Sequence, residues 1–213
     1  MSVPKGRNVR VEIAATFSTA KTVTGVTKAS PGVATSTAHG LAEGTIGYWT
    51  VTAGMTELDG MAGSVDATAT NTWNVEAVDT TNFTTFTAGT FTPVATWVTL
   101  SPATGYDLAG GDADEIDVTT LLDNNHKVDF GLLGAETVNF NQLSDTQAVA
   151  ALQIEAAARA GTDVTFRITL PNGERRVFRG VPSLPGESLA LSQAANSSFK
   201  VAVKGRVLRL PVA

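Results

Sequence analysis

The chain predicts a mainly β protein: an antiparallel β-sandwich or partial barrel with one packed α-helix, interrupted by a small all-β domain. Three observations predict it. Threonine is crowded toward one end, with 23 of 31 in the first hundred residues, and Trp49, Trp73 and Trp97 lie there too. Threonine and the aromatics favour strands. Period-two alternation of apolar residues recurs on both sides of that region, the signature of half-buried strands. Only Ser144 to Ala160 carries helical signals.

The first element is Val9-Arg10-Val11-Glu12-Ile13, with Val9, Val11 and Ile13 on one face. Such a strand needs a sheet, and the strands after residue 100 supply one. Between them, residues 24–97 are punctuated by Gly44, Gly54, Asp59-Gly60, Asn71-Thr72 and Gly89. That punctuation means short strands and tight turns. The expected organisation is therefore one domain from residues 1–23 and 98–213, with residues 24–97 inserted in it.

Past residue 100 come an acidic strand, Asp114 to Thr120, and a short strand, Glu136 to Phe140. Ser144 with Gln147 reads as a capping box, and Asp145 sits in the first turn. Val149, Leu152 and Ala156 then form the expected apolar stripe, and Gly161 the left-handed stop. Val164, Phe166, Ile168 and Leu170 alternate with polar residues, Pro171-Asn172-Gly173 turns the chain, and Arg175 to Gly180 returns it. The closing strand runs from Ser197 to Arg209, with Phe199, Val201 and Val203 on one face. Segments 1–8, 104–114 and 182–196, rich in Gly, Pro, Ser or Ala, are expected to order on assembly.

Composition excludes several chemistries. With no cysteine there are no disulfides and no thiolate ligands. The N-terminal Met1-Ser2-Val3-Pro4-Lys5-Gly6-Arg7 lacks the apolar segment of a secretory signal. No run of 18 apolar residues offers a membrane span. His39 and His126 have no second His at ligand spacing, so turn and loop roles are expected and no metal. Asp112-Ala113-Asp114-Glu115-Ile116-Asp117 fails as a calcium loop because Ile116 takes a ligand position and the required glycine is missing. No nucleophile turn or phosphate-cradling glycine loop occurs, so neither an enzyme nor a cofactor is expected.

The net charge of −5 is polarised. Residues 24–97 carry six acids against Lys28; Asp107 to Asp145 carry nine acids against Lys127; Arg159 onward carries nine bases against three acids. Either this is a solvated surface whose charges merely segregate along the chain, or it forms complementary faces that attract another copy of the same chain.

In order, Glu115-Ile116-Asp117-Val118-Thr119-Thr120-Leu121, Phe130-Gly131-Leu132 and Val138-Asn139-Phe140 resemble the midsection of tail tube proteins of long-tailed bacteriophages. The helix, Phe166 to Gly173, Phe178-Arg179-Gly180 and Val201-Ala202-Val203-Lys204-Gly205 continue that pattern over about 100 residues. The insert, from Val23-Thr24-Gly25 through Ala38-His39-Gly40-Leu41, Gly54 to Gly60 and Asn71-Thr72-Trp73, resembles a small β module of phage tail proteins. It departs after Gly60, where Met61-Ala62-Gly63 replaces a more strand-like run.

The resemblance implies assembly rather than catalysis: subunits forming rings, hexameric in the family, that stack into a hollow tube through which DNA passes unbound. It also implies partnership with the tape measure protein and other tail proteins, no membrane, a place in the virion tail, and assembly in the host cytoplasm. On that basis Asp112, Asp114, Glu115, Asp117 and Asp123 are candidates for the lumen or an inter-ring contact. Arg175, Arg176, Arg179, Lys204 and Arg206 are candidates for the basic side of the inter-ring contact, and the insert is expected on the outer wall. Competing readings are a ring-forming tail terminator or connector, which stops at one layer, and a carbohydrate-binding β protein with Trp49, Trp73 and Trp97 as an exposed platform.

Overall fold

Alternating apolar and polar residues become strands almost wherever they occur. The computed structural model describes residues 8–100, 102–145, 147–192 and 194–212. The first strands are β1 Arg10–Phe17, β2 Lys21–Val23, β3 Gly25–Val26, β4 Val33–Thr35 and β5 Ile46–Ala53. After a single 3₁₀ turn at Thr56–Leu58 come β6 Ala62–Asp66, β7 Thr72–Val75 and β8 Ala88–Thr99. Then follow β9 Ala103–Ala109, β10 Ala113–Asp117, β11 Val128–Leu133 and β12 Thr137–Leu143. The helix α1 Val149–Ala160 leads to β13 Val164–Thr169 and β14 Arg175–Pro182. The chain closes with β15 Gly186–Ser188, β16 Asn196–Val203 and β17 Leu208–Leu210.

Fifteen strands form one antiparallel sheet, whose main path is β3-β4-β7-β6-β5-β8-β1-β13-β14-β16-β12-β9. β2 joins β8, β17 joins β14, and β15 joins β16; β10 and β11 pair separately. The sheet is curled into a half-barrel. Phe140 on β12 lies 5.5 Å from Phe166 on β13, three strand steps away. A flat sheet would hold those strands about 14 Å apart. The curl encloses a core of Phe140, Phe166, Phe178 and Phe199 with Val11, Ile13 and Val201, and α1 supplies Ile154.

A second core fills the small β region: Trp49, Trp73, Phe91, Leu58 and Met55, all buried. It also takes in Val177, Leu208 and Leu210 from the carboxy-terminal strands. β14 is therefore buried on both faces, with Phe178 in one core and Val177 in the other. β8 runs through both parts, its first half paired with β2 and β5, its second half with β1. Residues 94–97, placed by the sequence in the insert, pair here with β1.

Several local expectations are corrected. The helix begins at Val149, with Ala148 as an uncapped N-cap, rather than at Ser144. No capping box forms: the Ser144 hydroxyl donates to Glu187, and the Asp145 carboxylate accepts from the Gln147 N–H at 3.2 Å in a local turn. The buried face is Ala150, Ile154 and Ala157, while Val149 and Leu152 are 59% and 50% exposed. Alanines face the sheet because a close approach admits only small side chains beside Ile154. Gly161 does end the helix left-handed, at φ 64°.

The closing strand breaks at Lys204-Gly205, where Gly205 has φ 72°. β16 pairs β12 and β17 turns back onto β14. Segment 104–114 is largely strand, in β9 and β10, whereas residues 1–7 of segment 1–8 lie outside the described residues. Of Met61-Ala62-Gly63, Ala62 and Gly63 do enter a strand, β6. Small residues are required there, since a Cβ on Gly63 would meet Trp49 Nε1 at 2.5 Å.

Candidate functional site

The acidic run and the segment after it build an arm. Among the described residues β10 and β11 pair only with each other, and every residue of β11 is exposed. Register places Glu115 opposite Phe130 and Asp117 opposite Val128, so both pairs share a face. Alternation adds Leu132, giving an apolar stripe of Val128, Phe130 and Leu132 that is 46%, 66% and 85% exposed. A lone two-stranded hairpin is marginal in water, and a stripe of that size marks a contact surface. The period-two alternation of Val128, Phe130 and Leu132 is the sequence signal for it.

Asp112, Asp114, Glu115, Asp117 and Asp123 all lie on this arm or at its root. The Asp112 carbonyl accepts from the Gly134 N–H at 2.9 Å, closing the root. Asp117 accepts from the Thr119 N–H at 2.9 Å and lies 3.7 Å from His126 Nδ1. The Thr119 hydroxyl, then its N–H, hold the Asp117 carboxyl below its usual range. Asp123 accepts from the Thr120 N–H and hydroxyl, each at 2.9 Å, and from the Lys127 ammonium. Lys127 foremost, then Thr120, lower its pKa. These carboxylates stay ionised and shape the arm's turn.

Arg175, Arg179, Lys204 and Arg206 collect elsewhere, at the seam between the two cores, whereas Arg176 faces the half-barrel side. Arg175 reaches Glu76 at 3.8 Å and donates to the Gly44 carbonyl at 3.4 Å. Arg179 lies over the Tyr48 ring at 3.8 Å and pairs with Asp163 at 3.4 Å, which also accepts from Lys204 at 2.9 Å. Arg206 donates to the Ala77 carbonyl at 3.2 Å, and Arg176 pairs with Glu174 at 2.8 Å. Arg175, Arg179 and Arg206 thus contact the small β region of their own chain. Charge counting along the sequence could not reveal those partners.

Sequence reasoning missed one further network. Glu12, 2% exposed, accepts from Arg167 at 2.7 Å and from Arg10 at 3.0 Å. The Arg167 guanidinium lies 4.3 Å over Trp97. A buried carboxylate needs such partners to remain charged.

Among the open strand edges, two border the half-barrel. β9 pairs only β12, and the half of β8 from Val94 to Thr99 pairs only β1 among the described residues. Open edges present unpaired N–H and C=O groups.

No catalytic constellation appears among the described residues, and no group of three or more metal-ligating side chains occurs there. His39 is a buried turn residue: its Nδ1 accepts from the Leu41 N–H at 3.0 Å and its Nε2 donates to the Ala69 carbonyl at 2.8 Å. The groove beside α1, about 310 Å³, holds Glu155, Arg159 and Glu187, but Arg159 pairs with Glu155 at 2.7 Å and Ser144 with Glu187. Trp49 and Trp73 are 0% and 1% exposed, so the carbohydrate platform does not exist. No described helix is long and apolar enough to cross a membrane.

The described residues thus combine open edges, an exposed apolar arm and two closed cores. A model of the phage tail tube protein family matches residues 53–210. That span is well over half of the chain, which therefore belongs to the phage tail tube protein family. Membership makes it a component of the virion tail, assembled with other tail proteins into a tube. The matched span begins at the end of β5, so the family pattern includes part of the small β region. A search of curated proteins found no match to the chain.

Proposed function

We propose that this protein forms closed rings, hexameric as in the tail tubes it resembles, which stack into the hollow tube through which DNA leaves the virion. One observation carries this reading: the half-barrel ends in two open edges, β9 and the 94–99 half of β8. Pairing β9 of one copy with β8 of the next is a head-to-tail contact, which closes as a ring when the rotation permits. Each junction satisfies backbone groups that a solitary subunit leaves to water.

Stacking uses the arm. Its apolar stripe is covered by the adjacent ring, and Asp114, Glu115 and Asp117 set its orientation. The small β region stays on the outer wall, its Arg175 and Arg179 contacts holding it off the channel. The tape measure protein is the expected occupant of the tube before DNA.

Electron microscopy of concentrated protein tests the whole. Long hollow fibres are expected; isolated rings would favour a terminator or connector, and permanent monomers would refute ring formation. Thr99→Pro probes the joint. Leu100 N–H donates to the Val11 carbonyl at 2.8 Å, so the Thr99 N–H points away from β1. Proline there removes the outward donor, as edge strands tolerate, and the exposed hydroxyl that accepts from Arg10 at 3.3 Å, but no ladder bond to β1. Unchanged circular dichroism with loss of rings is expected, and wild-type assembly would sink the edge-pairing claim.

A further inference from the structure

Resting on the ring-and-tube reading, we infer that the outer face of α1, with the segment between β14 and β16, is a socket whose occupant is the arm of a copy in the adjacent ring. Exposed apolar side chains fall into two groups. Of the fifteen large ones exposed among the described residues, eight lie on the arm between Ile116 and Leu133, and five are Val149, Leu152, Leu184, Leu189 and Leu191. A lone exposed leucine needs no explanation, but grouped ones mark a contact surface.

The helix has two apolar sides. Ala150, Ile154 and Ala157 are committed to its own sheet, whereas Val149 and Leu152, three residues apart on one face, point outward. Leu184 joins them, since it lines the α1 groove with Ala151 and Glu155. Leu189 and Leu191 follow β15 at the same end of the sheet: Ser188 pairs with Asn196, and Asn196 with Leu143, ahead of the helix. None of the five belongs to either core. The apolar stripe of α1 thus has its partner in another copy.

The two groups stand at opposite ends of β12. Thr137, at the arm end, pairs with Ala109 and Ala202; Leu143, at the other, pairs with Asn196. About 20 Å of strand separates them. A projection at one end and a receptive surface at the other is what a head-to-tail contact requires, and such a contact repeats without closing. The arm has the reach: from Gly111 to Leu121 an extended chain spans about 33 Å. Its tip leucines, Leu121 and Leu122, are fully exposed. Charge does not drive the fit. The acid-rich arm meets a rim holding Asp145, Glu155 and Glu187, with Arg159 already paired to Glu155. Apolar burial carries the contact, and salt that screens the repulsion promotes stacking.

The chain has no cysteine, so Leu122→Cys combined with Leu152→Cys gives one thiol on the arm and one on the socket. Assembled tubes are treated with a short bis-maleimide and run on a denaturing gel. A ladder rising past the ring's own subunit number is expected, because each copy links to one above and one below. Either single variant should give no ladder. Leu122→Cys with Thr68→Cys, whose second thiol lies on the exposed surface of the small β region, should give none either. A ladder ending at the ring number, a link within one chain, an equal ladder from the Thr68→Cys control, or no link in intact tubes would each overturn the inference. If the paired cysteines prevent assembly, Leu152→Asp decides: unchanged circular dichroism with single rings and no tubes is expected, and wild-type tubes would overturn the socket. Absence of tubes from the parent protein would instead remove the ring-and-tube reading, and this inference with it.

Discussion

Removing the small β region separates an appendage from a structural partner. The cut follows the strands: Phe17 lies opposite Val94, so residues 19–92 are replaced by a short glycine-rich turn joining β1 to the second half of β8. A cut at 24–97 would delete most of the β1–β8 ladder. The shorter cut still uncovers Val177, Leu208 and Leu210, which are 0%, 1% and 1% exposed. At about 1.5–3 kcal/mol for each buried aliphatic side chain, roughly 5–9 kcal/mol is forfeited. Whole domains are stable by only about 5–15 kcal/mol. Arg175 and Arg179 also lose Glu76 and Tyr48. The excised protein is expected to be insoluble or to unfold at much lower urea, followed by circular dichroism. Adding Val177→Thr, Leu208→Thr and Leu210→Thr should return it to solution, because threonine keeps strand propensity without the apolar face. An excised chain with native residues at the seam and the full chain's urea midpoint would refute the reasoning.

Two smaller perturbations test local claims. His39→Ala leaves the Leu41 N–H and the Ala69 carbonyl without their buried partner and removes the ring packed 4.8 Å from Trp73. A loss of about 2–4 kcal/mol in thermal or urea unfolding is expected, and a change within about 0.5 kcal/mol would class it with surface residues. In the arm, Asp117 and Asp123 have depressed pKa values, chiefly through the Thr119 hydroxyl and the Lys127 ammonium respectively. A depressed folded pKa means that their contribution is complete above the usual aspartate value of about 3.9 and fades as pH falls through the folded value. In a His126→Gln variant, which removes the imidazole beside Thr119 and Asp117, the Thr119 and Thr120 amide signals in an NMR titration should therefore keep their positions down to about pH 4 and shift below it. Movement between pH 5 and 7 would contradict that account.

The amino-acid sequence by itself determined the strands, because alternation reports which side of a strand is wet. Val11 and Ile13, Phe166 and Ile168, and Phe199, Val201 and Val203 are all buried. Gly161 and Gly173, at φ 64° and 87°, were legible as a helix stop and a hairpin turn because few residues accept a left-handed backbone. The helix face was not legible. Val149 and Leu152 are the more apolar residues, yet Ala150 and Ala157 face the sheet, since the allowed approach depends on what lies opposite. Nor could charge order show that Arg175, Arg179 and Arg206 are held by their own chain. Their partners Glu76, Tyr48 and the Ala77 carbonyl are about a hundred residues away or more. Alternation is a property of neighbours in the chain; the double burial of β14, the seam and the two open edges come from how the sheet curls, and only the tertiary structure decides that.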